Sequence, residues 1–326
     1  MNNSDIETFL DNIQDIQFKE YNIKKSIVFL KDEILPIEFE QFDNVKKKLL
    51  EDIFSKIKDR EKIFNKNSFN MVFNDRYIRV ESLSSIAGSI YCCRHMPKDF
   101  IYLEKAGFSE IILQELNHER LNKGGLVFIS GSPGQGKSNT AAALIHSRLE
   151  KHGGIFVTIE DPVEIPLQGK HGKGHCIQIP VINSFSDCIK SSLRAYPASQ
   201  NCGLFIGELR DYDSAIAALQ AAIDGRLVIT TFHTKSLELA FERLFNLISS
   251  RLTKEESGSL IAEAFKLGIH QRLLKTKDST VQLRAQILVD THEVYSAIKL
   301  DKISLIQDQL EKQFTKLKNQ EKFKYR

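Results

Sequence analysis

Apolar residues change their spacing twice along this chain. Over residues 36–60, Phe39, Val45, Leu49, Ile53 and Ile57 recur at near-helical intervals with charge between them, which predicts an amphipathic helix. The stretch SFNMVFNDRYIRVESLSSIAGSIYCCRHM then predicts two or three short strands, with Asn74 and Asp75 supplying the turn between the first two. Together these read as a small α+β domain whose helix covers one face of a sheet.

From Leu126 the pattern becomes short apolar runs separated by helical segments. LVFIS, a helix from Asn139 to Lys151, IFVTIE, CIQIP, the helix SFSDCIKSSLRA, GLFIGE, the helix SAIAALQAAI and LVITTFH follow in order. A parallel sheet buried on both faces needs runs of this kind, so this region reads as α/β. Past residue 250 the pattern reads as helical. Ile303, Ile306, Leu310, Phe314 and Leu317 form a stripe that predicts a helix docking one face. The expected division is 1–108 and 109–326, two domains being the usual count for this length.

Composition changes this picture little. Hydrophobic residues make up 42% and charged residues 27%, which excludes disordered and collagen-like classes. A net charge of +3 gives no reason to expect nucleic acid as a partner. No run reaches the roughly 18 apolar residues of a membrane span, and MNNSDIETFLDNIQDI is unlike a signal peptide, so a cytoplasmic location is expected. Cysteines at 92, 93, 176, 188 and 202 form no CxxC pair, which argues for reduced thiols and against structural zinc. Adjacent Cys92 and Cys93 must face opposite sides of a strand. The last 26 residues carry seven Lys or Arg against four Asp or Glu. That is a solvated helix in the ordinary case and a membrane or partner contact in the alternative.

The candidate chemistry starts at residues 131–139. Gly131, Ser132, Pro133, Gly134, Gln135, Gly136, Lys137 and Ser138 fit GxxxxGK[ST] between an apolar strand and an Ala-rich helix opening at Asn139, the context a P-loop requires. Its glycines turn backbone N–H groups toward phosphates, Lys137 reaches their oxygens and the Ser138 hydroxyl ligates Mg²⁺. ATP and Mg²⁺ are therefore the expected cofactors. Such a loop also needs an acid at a neighbouring strand end, which Glu208 supplies after GLFIG. Glu160, Asp161 and Glu164 follow another apolar strand and offer a general base for water. His233 closes LVITTF at the same expected edge, whereas His175, His270 and His292 read as structural.

In this order, GSPGQGKS, FVTIEDPVE, GLFIGELRD and TTFHT resemble the Walker A, Asp box, Walker B and His box of the secretion ATPase superfamily. The nearest resemblance is to PilT-like pilus retraction ATPases and their type IVB secretion and conjugation relatives, from about residue 77 to 274. The resemblance implies a PAS-like N-terminal domain and a RecA-like P-loop ATPase domain, assembled as a homohexamer at the bacterial inner membrane with platform or secretion-system partners. It implies catalytic roles for Glu164, Glu208, Arg210 and His233, with Glu208 also near the metal, and for Arg94, with Arg79 a second arginine directed at nucleotide. Pro133, Gln135 and Asn139 depart from the retraction motors' usual loop. Their AIRNLI signature has no clear counterpart, the nearest region being HEVYSAIKLDK from His292. An ATP-binding regulatory protein with poor turnover and a nucleic-acid translocase are the alternatives.

Overall fold

The computed structural model describes residues 3–96, 100–197, 201–275, 281–319 and 325–326. They form two compact units, Met1–Asp99 with Asp161–Pro166, and Phe100–Glu160 with Leu167–Arg326. The short stretch 161–166 thus joins the first unit although the chain on both sides of it belongs to the second.

The first unit contains α1 (Asn3–Asn12), β1 (Ile13–Lys19), β2 (Ile27–Leu30), β3 (Ile37–Glu38), α2 (Asn44–Phe64), β4 (Ser68–Phe73), β5 (Arg76–Ser85) and β6 (Gly88–His95). Its antiparallel sheet has the order β3-β2-β1-β6-β5-β4. The expected helix is present but starts at Asn44, where the Asp43 carboxylate accepts the Val45 and Lys46 N–H groups and caps it. Its buried stripe is Leu50, Ile53, Ile57 and Phe64. Val45 is exposed, and Phe39 is buried from a separate turn. The three expected strands are β4, β5 and β6. Asn74 and Asp75 both take positive φ, 43° and 56°, as a two-residue hairpin turn demands. β1 escaped the reading because a bulge between Ile13 and Asp15 interrupts its alternation, and β2 and β3 because four and two residues are too few to show a period.

Alternation gives this sheet two unlike faces. Ile16, Cys93, Val80 and Phe69 are buried in one core with α2. The opposite face carries Asp15, Arg94, Arg79 and Asn70 in one cross-strand row, with Gln17, Cys92, Glu81 and Ser68 in the next. Cys92 and Cys93 do face opposite ways.

His95, at the end of β6, is held near a pKa of about 4 by burial and then by the charges of Arg76 and Lys31, against opposing pulls from Asp11 and Asp15. The unfolded chain takes up this proton near pH 6.5 and the folded one only near 4. Stability should therefore be full above pH 6.5, fall between 6.5 and 4, and level off below. The expected loss is about 3 kcal/mol. Denaturant unfolding of the full chain across that range should show a shallower slope for His95→Gln; equal slopes would remove His95 as the cause.

The second unit contains α3 (Glu110–Leu116), β7 (Gly125–Ser130), α4 (Lys137–His152), β8 (Gly154–Glu160), β9 (Gly169–His171), β10 (Gly174–Pro180), α5 (Phe185–Ala195) and β11 (Cys202–Glu208). After them come α6 (Tyr212–Ile223), β12 (Leu227–Phe232), α7 (Leu237–Ile248), α8 (Lys254–Ala264), β13 (Phe265–Lys275), β14 (Val281–Val289), α9 (His292–Lys299) and α10 (Ser304–Lys318). Its sheet has the order β14-β13-β7-β12-β11-β8-β10-β9, parallel from β13 to β10 with an antiparallel strand at each edge. Every residue of β7 and β12 is buried, as central parallel strands require. The α/β expectation holds here, and the α+β one in the first unit.

The helical reading past residue 250 is corrected by β13 and β14, which extend the sheet. β13 buries Phe265, Leu267 and Ile269 at every second position, the period of a strand. The C-terminal stripe docks Ile303, Ile306 and Leu310, while Phe314 is exposed. The Leu317 side chain and the residues 320–324, Lys322 and Lys324 among them, lie outside the described residues. Gln313 on α10 exchanges two hydrogen bonds with the Val289 backbone. No helix among the described residues is long and apolar enough to cross a membrane.

Candidate nucleotide site

A parallel sheet presents the carboxyl ends of its strands on one edge, where the following loops gather. β7 ends there at Ser130, β12 at Phe232, β11 at Glu208 and β8 at Glu160. The 131–139 loop opens directly from β7, its Gly131 N–H donating to the Phe232 carbonyl of the adjacent strand at 3.2 Å. Gly134 and Gly136 hold φ of 74° and 75°, which a side chain would resist, and α4 starts at Lys137.

Lys137 is buried and its ammonium folds back over the loop. It donates to the Gly131 carbonyl at 2.9 Å, the Ser132 carbonyl at 3.0 Å and His233 Nδ1 at 3.1 Å. An ammonium has only hydrogens to give, so Nδ1 is the accepting nitrogen of His233. From the other side β13 grips Gln135. Gln271 Nε2 donates to its carbonyl at 2.6 Å, and the Leu273 N–H to its Oε1 at 2.6 Å. His270, read as structural, has its Nδ1 2.9 Å from Ser130 Oγ, and burial and Arg272 lower its pKa.

Glu208 is aimed by an irregularity. The β11–β12 register shifts between Ile206 and Glu208, where Thr231 Oγ1 donates to the Gly207 carbonyl at 2.7 Å. Its carboxylate accepts from Arg243 Nη2 at 2.7 Å and Arg210 Nε at 3.2 Å. Arg243 was not singled out in the sequence, because with Glu238, Glu242 and Asn246 it reads as the solvated face of an amphipathic helix. Gln271 was lost with the strand that carries it. Glu160 is satisfied within the sheet by Thr158 Oγ1 at 2.7 Å and Gln178 Nε2 at 3.3 Å.

The remaining candidates belong to the first unit. Glu164 lies in the stretch 161–166. Arg94, its side chain 73% exposed, donates through Nε to Asp15 Oδ1 at 2.7 Å, and Arg79 pairs with Glu81 at 3.1 Å. Arg79 and Arg94 stand directly opposite each other on β5 and β6. The second unit thus joins the loop, Lys137 and His233, and pairs Glu208 with Arg210. Glu164, Arg79 and Arg94 sit in the other unit.

These groups fit a nucleotide's phosphates. Two left-handed glycines, a 16-residue helix opening at the loop's end and a lysine turned onto loop carbonyls make up the donor set a polyphosphate takes up. The Ser138 hydroxyl and Glu208 carboxylate are hard oxygen donors of the type Mg²⁺ accepts.

A family model for type II/IV secretion system proteins matches residues 4–315. A twitching motility protein of Neisseria gonorrhoeae is 29% identical over 235 residues, 72% of this chain and 60% of the relative. The type IV pilus retractation ATPase PilT of Pseudomonas aeruginosa is 27% identical over 227 residues, 69% of this chain and 63% of the relative. The match thus spans under two thirds of either relative. Among solved structures, the pilus retraction motor PilT with bound ADP aligns with a TM-score of 0.72 at 23% identity, covering 98% of this chain and 94% of that one. The Legionella pneumophila ATPase DotB aligns with a TM-score of 0.72 at 21% identity, covering 94% and 88%. At these identities the likeness is one of fold.

Proposed function

Because the chain belongs to the type II/IV secretion system protein family, we propose that it is a motor ATPase, hydrolysing ATP to ADP and phosphate as a homohexamer at the inner face of a bacterial membrane. The machine it powers is a pilus, conjugation or type IV secretion apparatus. The observation that carries this reading is Lys137, buried at the start of α4 with donors on the Gly131 and Ser132 carbonyls and on His233.

In this reading the residues 131–139 bind the phosphate chain and Lys137 exchanges loop carbonyls for phosphate oxygens, acting as a point charge. Ser138 and Glu208 would hold Mg²⁺, which would supply charge neutralisation for the phosphates. Glu164 takes a proton from the attacking water. His233 hydrogen-bonds near the terminal phosphate, and Arg210 keeps the Glu208 carboxylate oriented. Arg94 and Arg79 supply guanidinium charge from the first unit of a neighbouring subunit. For that, Arg94, its side chain 73% exposed, exchanges Asp15 for nucleotide.

Phosphate release measured on size-separated full-length protein tests this. Activity should reside in the ring fraction. Mixing inactive Arg94→Ala with inactive Lys137→Ala subunits should restore part of it, because some interfaces then pair an intact arginine with an intact loop. No recovery in verified mixed rings would refute action in trans, and no turnover in any fraction would refute the motor.

A further inference from the structure

The stretch carrying Glu164 is continuous with β8 of the second unit, yet Asn70 and Lys66 of the first unit both anchor it. Asn70, on the polar face of β4, donates from Nδ2 to the Val163 carbonyl at 2.7 Å and also meets Met96 Sδ at 3.1 Å. Lys66, two residues before β4, pairs with Asp161 at 3.1 Å, both side chains about three-quarters buried at 26% and 27% exposure. Val163 is itself buried. The Asn70 amide oxygen is buried with no hydrogen-bond partner among the described residues, so its placement serves the donor end of the amide.

The Val163 carbonyl and the Glu164 nitrogen belong to one planar peptide unit. A hydrogen bond to that carbonyl fixes the plane from which the Glu164 side chain departs. The Lys66–Asp161 pair fixes the chain two residues earlier. Two side chains of the first unit therefore help to fix where the Glu164 backbone lies, across 93 residues of sequence for Asn70 and 95 for Lys66.

We propose that Asn70 and Lys66 are positioning residues for hydrolysis, acting through Glu164 by holding its peptide unit against the first sheet. The inference rests on the assignment of Glu164 as the group that activates water. The aim of the base is then set by side chains of the first unit, while the phosphate cradle is built by the second. ATP binding and ATP cleavage are then governed by different parts of the chain.

A kinetic cycle on the full-length protein tests this with wild type, Asn70→Ala, Glu164→Gln and the double variant. Loss of the Val163 anchor should lower kcat by roughly 10- to 100-fold, the scale expected when a reacting group is misplaced by about an ångström. ATP affinity, measured directly by titration, should change by less than about 3-fold, because the binding loop is untouched. The double variant should be no slower than Glu164→Gln alone, since a residue that acts only by aiming another has nothing left to aim. Lys66→Gln should repeat this pattern and Lys66→Arg, which keeps the ion pair, should restore most of kcat. The Lys66 variants carry the same cycle if Asn70→Ala does not fold.

If Glu164→Gln is slow and Asn70→Ala multiplies that defect, or leaves kcat at the wild-type value, the positioning role is refuted and the base assignment stands. If Glu164→Gln itself turns over at the wild-type rate, the base assignment falls and the positioning role falls with it.

Discussion

Lys137→Ala is expected to bring phosphate release down to background and to abolish ATP binding in titration, while the protein keeps its fold. The ammonium is the charged donor that lies within the loop, bonded to the Gly131 and Ser132 carbonyls and to His233. A polyphosphate entering without it meets those carbonyl oxygens unscreened, at a site whose dielectric is low enough to enlarge the penalty. The fold is spared for two reasons. Alanine is a better helix former than lysine at the first position of α4, and the helix packs through Ala141 to Ile145 and Leu149, which the change does not touch. Near-wild-type turnover in a folded Lys137→Ala protein would show that ATP is not bound here.

Glu208→Gln should slow hydrolysis by about 10²- to 10⁴-fold while leaving ATP bound, the range for a carboxylate that acts in the transition state. The substitution keeps the side chain's shape and one acceptor for Arg243, but removes the charge shared with Arg210 and Arg243. Those arginine side chains are 52% and 38% exposed, so water screens the charge left behind and stability should change little. Single-turnover measurements with saturating ATP separate the two effects. Lost affinity with retained turnover at saturation would contradict the role given to Glu208.

The parts of this molecule that the sequence made legible are those built from contiguous residues. β7, the 131–139 loop and α4 occupy 28 consecutive positions, Gly125 to His152, and each imposes its own spacing. Asn74 and Asp75 were legible because a two-residue turn has its own chemistry. What was missed is non-local or irregular. β1 is broken by a bulge, and β13 was absorbed into a run of helices. Gln271 and Arg243 acquire meaning only when β13 lies beside β7 and α7 lies near the end of β11. The stretch 161–166 bonds to Asn70 and Lys66 of the first unit, and no periodicity links residues so far apart.

Gln135 is held twice by β13, through its carbonyl and through its side-chain amide. A glycine-rich loop left to itself samples many shapes, and fixing each residue takes roughly 1–2 kcal/mol of chain entropy. Here a neighbouring strand supplies part of that ordering by holding Gln135 at its carbonyl and at its side chain. On the proposed reading, less of the phosphates' attraction would be spent shaping the loop and more would remain as affinity. The loop is also only as firm as the strand beside it. A tug on β13 away from the loop would loosen its hold on Gln135, giving distant parts of the same sheet a route to the loop's shape.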